Sequence, residues 1–362
     1  MRRAICWATG GAALAAVLAV AAFPGAIGRE AARIAIDARA GMDVTRDLPD
    51  GLHVALCGTG SPMPDPTRAG PCSVVIAGRH VFVVDAGEGG ARNIMLMGIP
   101  NGRIERVFLT HLHSDHIDGL GPMLLLAWTG AGRTRPLPVH GPAGTGRVVA
   151  GFDQAYAIDA GFRTAHHGPI VAPPSGAGGV ALPFALPPKG DWSPVPVYAG
   201  DGVTVTAFRV DHGPVEPAVG YRFAYKGRSI VFSGDTSPTP SIVRNARGAD
   251  LLVHEGLQSR LVALMTEVLE QRRQTALTQI TRDILNYHTT PEDAAAEAQA
   301  AGVKHLVFSH NIPPMPSRVM YPAFLGDARQ RFGGTITVGE DGMVFSLPAG
   351  GTGMELRRWS VH

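Results

Sequence analysis

Four side chains able to bind a metal stand within six residues at His111-Leu112-His113-Ser114-Asp115-His116, after the apolar run Ile104 to Thr110 and before the apolar run Leu120 to Trp128. In a chain with 14 histidines, this pattern should arise by chance roughly once in a thousand sequences. The first run reads as a strand and the second as a helix entered through Gly119 and Gly121. Alternate side chains of a strand point the same way, so His111 and His113 project together while the following turn carries Asp115 and His116 to a neighbouring position. Imidazole nitrogens and carboxylate oxygens are ligands for zinc and related divalent ions. Two adjacent ions need more ligands than this segment holds.

Other strand ends supply them. Val210-Asp211-His212-Gly213, Phe232-Ser233-Gly234-Asp235-Thr236 and Phe308-Ser309-His310-Asn311 each bring an apolar β-type run to a ligand and then to a turn. Further strands are expected at Leu52 to Leu56, Ser73 to Ala77, Val81 to Asp85, Val203 to Val210, Ala218 to Tyr225, Ser229 to Ser233, Leu251 to Val253 and Val303 to Ser309. Helical patterns cover Leu257 to Leu285 and a segment opening at Pro291, with Thr290 as its cap. Strands alternating with helices indicate an α/β architecture. The Pro- and Gly-rich stretch 168–200 reads as a long loop. His53, His80 and His140 sit in or beside apolar runs and read as packed or surface histidines, not ligands.

The 362 residues are 45% hydrophobic and 17% charged, with a net charge of +2. That excludes a disordered chain and a basic nucleic-acid binder, and the length suits one large domain or two ordinary ones. Arg2 and Arg3 precede an apolar run from Ala4 to Phe23, so residues 1–28 read as an export signal, with cleavage near Ala19-Val20-Ala21, or as an N-terminal membrane anchor. Either places the catalytic part outside the cytoplasm, periplasmic or secreted in the first case and membrane-anchored in the second. The domain itself is expected at 45–348, followed by a tail at 349–362. Of three cysteines, Cys6 falls in the leader, leaving at most Cys57 and Cys72 to pair.

In order along the chain, Gly58-Thr59-Gly60-Ser61-Pro62, Val84-Asp85-Ala86-Gly87-Glu88, the His111 motif, His212, Asp235, His254-Glu255, His288-Thr289-Thr290 and Ser309-His310 together resemble the metallo-β-lactamase fold superfamily. The resemblance is narrower to its branch containing ribonuclease Z and the related secreted arylsulfatases and phosphodiesterases, and covers about Leu52 to Leu347. It implies a four-layer αββα sandwich with two zinc ions. By that resemblance His111, His113 and His212 hold one ion, Asp115, His116 and His310 the other, and Asp235 bridges them. Asp115 then also ranks among the catalytic groups. The resemblance further places His288 beside the scissile group, Glu255 behind it as the carboxylate that orients it, and Asp85 as a hydrogen-bond partner of the ligand loop. His254 is expected to be structural. Arg163, His166 and His167 read equally as contacts for an anionic substrate and as a solvated face.

These implications point to hydrolysis by a hydroxide shared between two ions, which lower the pKa of water to about 7. The 22 residues 213–234 between His212 and Asp235 leave no room for the long arm by which ribonuclease Z grips transfer RNA. With the leader and the weak charge, this gives an expectation of an exported enzyme acting on a small-molecule ester, a phosphodiester or an aryl sulfate, with no nucleic-acid partner and contact with a membrane only through an uncleaved leader. The alternatives are a lactonase or other carboxylic ester hydrolase of the same fold, and a non-catalytic metal- or ligand-binding relative.

Overall fold

The computed structural model describes residues 24–361. They belong to two compact units, Met1–Asp43 and Val44–His362. The described part of the first carries one helix, Pro24–Arg39, in which Glu30 and Arg33 pair at 2.8 Å. Of the expected leader or anchor 1–28, residues 1–23 therefore lie outside the described residues, and 24–28 are the first turns of that helix. Among the described residues, no helix is long and apolar enough to cross a membrane.

The second unit lays down two sheets in succession. The first is built from β1 (Gly51–Gly58), β2 (Cys72–Ala77), β3 (His80–Val84), β4 (Ile104–Phe108), β5 (Leu137–Gly141) and β6 (Gly179–Pro183). The second follows with β7 (Val195–Gly200), β8 (Val203–Arg209), β9 (Val219–Tyr225), β10 (Arg228–Phe232), β11 (Leu251–Leu257), β12 (His305–Ile312) and β13 (Thr335–Val338). The chain then returns to the first sheet with β14 (Met343–Pro348) and β15 (Glu355–Arg358), giving the orders β15-β14-β1-β2-β3-β4-β5-β6 and β13-β12-β11-β10-β9-β8-β7.

The central strands β1, β2, β3, β10, β11 and β12 are buried along their whole length because both their faces are covered. Along β1, Val54 and Leu56 point into a core shared with Val205, Tyr221, Phe223 and Val307 of the opposite sheet. Ala55 and Cys57 point the other way, against Ile94, Leu120 and Met123 of the helices Gly90–Leu96 and Leu120–Thr129. On the far side of the second sheet, Ile242, Ala294, Ala298 and Phe324 bring in the helices Pro240–Asn245, Pro291–Ala301 and Tyr321–Leu325. The layers are therefore helix, sheet, sheet, helix, as the sequence led one to expect. Cys57 at the end of β1 and Cys72 at the start of β2 form a disulfide, with their Cα atoms 5.0 Å apart.

Local expectations fail at three places. The stretch 168–200 is not a bare loop: the helix Thr145–Val171 runs into it, and it contains all of β6 and β7. Both strands carry prolines, Pro183 and Pro196, and both lie at sheet edges, where a missing N–H costs no ladder bond. The tail at 349–362 contains β15, which pairs antiparallel with β14. The long helical pattern from Leu257 is broken into Ser259–Gln271 and Thr275–Asp283 by a turn in which Arg273 adopts φ +57°.

Candidate metal centre

The site forms where the two sheets bring their strand ends together. β3 and β4 run parallel, as do β10, β11 and β12, so their C-terminal ends open on one side. β4 delivers His111 and His113 into the short helix Ser114–Ile117, which carries Asp115 and His116. The loop after β8 holds His212, and the loop after β10 holds Asp235. His310 departs from expectation: it lies within β12, not after it, and takes φ +50° where the register of β11 and β12 shifts.

The ligand candidates converge in two groups, His111 with His113 and His212, and Asp115 with His116 and His310. His113 Nδ1 is 3.0 Å from His111 Nε2 and 3.3 Å from His212 Nε2. Asp115 Oδ2 is 3.2 Å from His310 Nε2 and 3.5 Å from His116 Nε2. Between the groups stands Asp235, whose Oδ2 is 3.2 Å from His310, 3.4 Å from His116 and 3.9 Å from both His111 and His212. One carboxylate oxygen thus faces both groups.

Surrounding hydrogen bonds fix which nitrogen the His116 and His212 rings turn inward. His116 Nδ1 bonds Asp85 Oδ2 at 2.9 Å, and His212 Nδ1 donates to the Tyr287 carbonyl at 2.9 Å, leaving both Nε2 atoms aimed at Asp235. His116 Nε2 is buried without a hydrogen-bond partner, a state that suits a nitrogen whose lone pair serves a metal. Asp85 also accepts the Thr110 backbone N–H at 2.8 Å and its hydroxyl at 2.9 Å, so it pins the start of the ligand loop as well. On the other side, Tyr221 donates to the Leu109 carbonyl at 2.6 Å and the Val219 N–H to the Thr110 carbonyl at 2.9 Å. Asp85→Ala should lower zinc affinity about 10- to 100-fold, measured by competition with a chromophoric chelator. Unchanged affinity would remove Asp85 from this role.

Charge follows the same division. Burial drives His111 well below the ordinary imidazole value and lowers His113 and His212, keeping them neutral, the form that binds metal. Burial also pulls at His116 and His310, but the Asp235 and Asp115 carboxylates outweigh it and raise both. Burial opposes ionisation of Asp235, yet His310, His116 and His111 hold it well below the usual carboxylate range. Five imidazoles and two carboxylates in a buried cluster are the donor set of a site for two divalent ions such as zinc.

His288 adjoins this cluster, its ring stacked 5.6 Å from that of His310. Its Nδ1 meets Glu255 Oε1 at 3.1 Å, and the same oxygen accepts the Thr289 N–H at 2.9 Å. Glu255 therefore fixes the orientation of His288 and of the loop bearing it. His254 is a buried structural residue, its Nδ1 bonded to the Glu255 carbonyl and its Nε2 3.3 Å from the Glu297 carboxylate. His53, His80 and His140 pack elsewhere, against Ser346, Glu105 and Phe108. Arg163 pairs with Asp159, and it, His166 and His167 lie along the helix Thr145–Val171, outside the set of residues around the ligands. Sequence reasoning overlooked Tyr287, whose carbonyl orients His212, and the apolar side chains of the two helices 259–283 beside the ligands. Their signal was present in the helical spacing of Leu277, Ile280, Thr281 and Ile284.

Comparison with known proteins gives a consistent picture. Residues 65–278 match the metallo-beta-lactamase superfamily. The chain is 38% identical over 293 residues to the ribonuclease Z of Mycobacterium bovis, covering 80% of this chain and 96% of that protein. It is 36% identical over the same length to the ribonuclease Z of Mycobacterium tuberculosis, with the same shares covered. The crystal structure of human tRNase Z, short form, aligns with a TM-score of 0.56 at 25% identity, covering 82% of this chain and 99% of that one. These relatives overturn the expectation of an esterase or aryl sulfatase for small molecules, and they lend no support to the signal-peptide and periplasmic reading. They equally overturn the exclusion of nucleic acid as a partner. The 213–234 segment is indeed filled by β9, β10 and their connections. That missing arm was evidence about one mode of grip, not about the bond cleaved, and proteins named for a ribonuclease are matched almost end to end.

Proposed function

The chain belongs to the ribonuclease Z branch of the metallo-beta-lactamase superfamily, and on that premise we propose that it is a ribonuclease, hydrolysing phosphodiester bonds in RNA of the transfer-RNA class. It is a metal-dependent hydrolase, and its fold binds two zinc ions. The observation that carries the RNA reading is the 96% coverage of the Mycobacterium bovis ribonuclease Z at 38% identity.

In this reading His111, His113 and His212 would hold one ion and Asp115, His116 and His310 the other, with the Asp235 carboxylate within reach of both groups. When bound, the ions stabilise negative charge on the phosphoryl oxygens and bring the pKa of water towards about 7. The protein's own side chains do the rest. Asp85 and the Tyr287 carbonyl keep the inward nitrogens of His116 and His212 on target. His288, held through Nδ1 by Glu255, presents its other nitrogen to the leaving oxygen and, when protonated, gives it the proton.

The test is direct. Zinc-loaded protein incubated with a transfer-RNA precursor bearing a 3′ extension should release the extension as a discrete product, and prior chelation should prevent it. Intact precursor after prolonged incubation with zinc-replete protein would overturn the reading.

A further inference from the structure

Above the ligand cluster lies a chamber of about 530 Å³ that opens onto His113, Asp115, Asp235 and His288. Its walls are aliphatic. Met265 and Leu269 of the helix Ser259–Gln271 face Leu277, Ile280 and Ile284, which follow the i, i+3, i+7 spacing on and just beyond the helix Thr275–Asp283. At the boundary with the ligands stands the Tyr287 ring, 5.1 Å from that of His212 and 4.8 Å from that of His288. Leu277 and Ile280 remain 49% and 50% exposed. Among the described residues, no lysine or arginine lines the chamber.

We propose that this chamber takes an unstacked nucleobase of the nucleotide next to the scissile phosphodiester. The inference rests on the ribonuclease reading and gives that site its substrate form, single-stranded RNA at the cut. A run of phosphates would find no cation here to pair with, so what enters beyond the reacting phosphate is uncharged. The volume falls within the range of small-ligand pockets, roughly 300–1,000 Å³, and admits a base but not a duplex. A base presents flat apolar faces, which stack on an aromatic ring and pack against aliphatic walls without regard to sequence. The walls are preformed: Thr266 and Thr281 bond through their hydroxyls at 2.8 Å, and Glu270 pairs with Arg282, tying the two helices together.

The zinc-loaded full-length chain is given the 3′-extended transfer-RNA precursor, and the same precursor with an abasic ribose on either side of the mapped cut. Removing the base on one side should lower kcat/KM about tenfold or more, and removing the other should change it little. The double variant Leu277→Asn/Ile280→Asn, altered at half-exposed positions and checked for unchanged zinc content, should cleave intact and abasic RNA equally, at the wild-type abasic rate. Equal cleavage of intact and abasic RNA by the wild type overturns the inference and leaves the ribonuclease reading standing, as does discrimination that persists in the variant. Faster turnover of a phosphodiester bearing a long acyl chain assigns the chamber to that chain and also overturns the inference. Failure to cut intact RNA, with an aryl phosphodiester still hydrolysed, overturns the ribonuclease reading and the inference with it.

Discussion

Asp235→Ala should release zinc and abolish RNA cleavage, the largest effect expected of any single substitution. Asp235 alone faces both ligand groups through one oxygen, 3.2 Å from His310 and 3.9 Å from His111 and His212. Each ion would lose a ligand, and the two would lose the carboxylate that holds them adjacent and offsets their mutual repulsion. Asp235→Asn, which keeps the shape but not the charge, should show the same loss in weaker form. The check is zinc content by elemental analysis beside the cleavage rate. Wild-type zinc and rate in the alanine variant would end the two-ion account.

His288→Ala should lower kcat by about 10²- to 10⁴-fold while leaving two zinc ions bound. His288 touches the cluster but is fixed from behind by Glu255, the arrangement of a proton donor, not of a ligand. The loss should depend on the leaving group. A ribose hydroxyl needs the proton, whereas a nitrophenolate leaves readily without it, so an aryl phosphodiester should be hydrolysed by the variant at nearly the wild-type rate. Loss of zinc would instead make His288 a ligand, an outcome its closeness to Asp235 and His310 gives a clear meaning. Equal losses on both substrates would assign His288 to binding the phosphoryl group and not to protonating the leaving oxygen.

The residues that converge on the cluster were legible in the sequence because each stands at or near a strand end, and that relation is local. An apolar run, a His or Asp, and a turn can be read without knowing what faces them. Asp85 and Glu255 were reachable only through family resemblance, since their partners His116 and His288 are 31 and 33 residues away. His310 shows the limit of the local reading, because its strand continues past it by means of a left-handed residue that no glycine announces. The edge strands β6 and β7 were hidden by their prolines. The break between the two helices at Arg273 was hidden because neither proline nor glycine marks it, and with it went the chamber whose walls those helices form. Substrate was misread for a different reason: a missing arm and a charge balance were allowed to outweigh ligand chemistry that says nothing of what lies beyond the phosphate.

The most direct measurement is a zinc titration of the chelated protein followed by cleavage of the 3′-extended transfer-RNA precursor. The account predicts no cleavage without metal, little at one equivalent, and full activity on reaching two. Cleavage in the presence of excess chelator, or full activity at one equivalent, would contradict it.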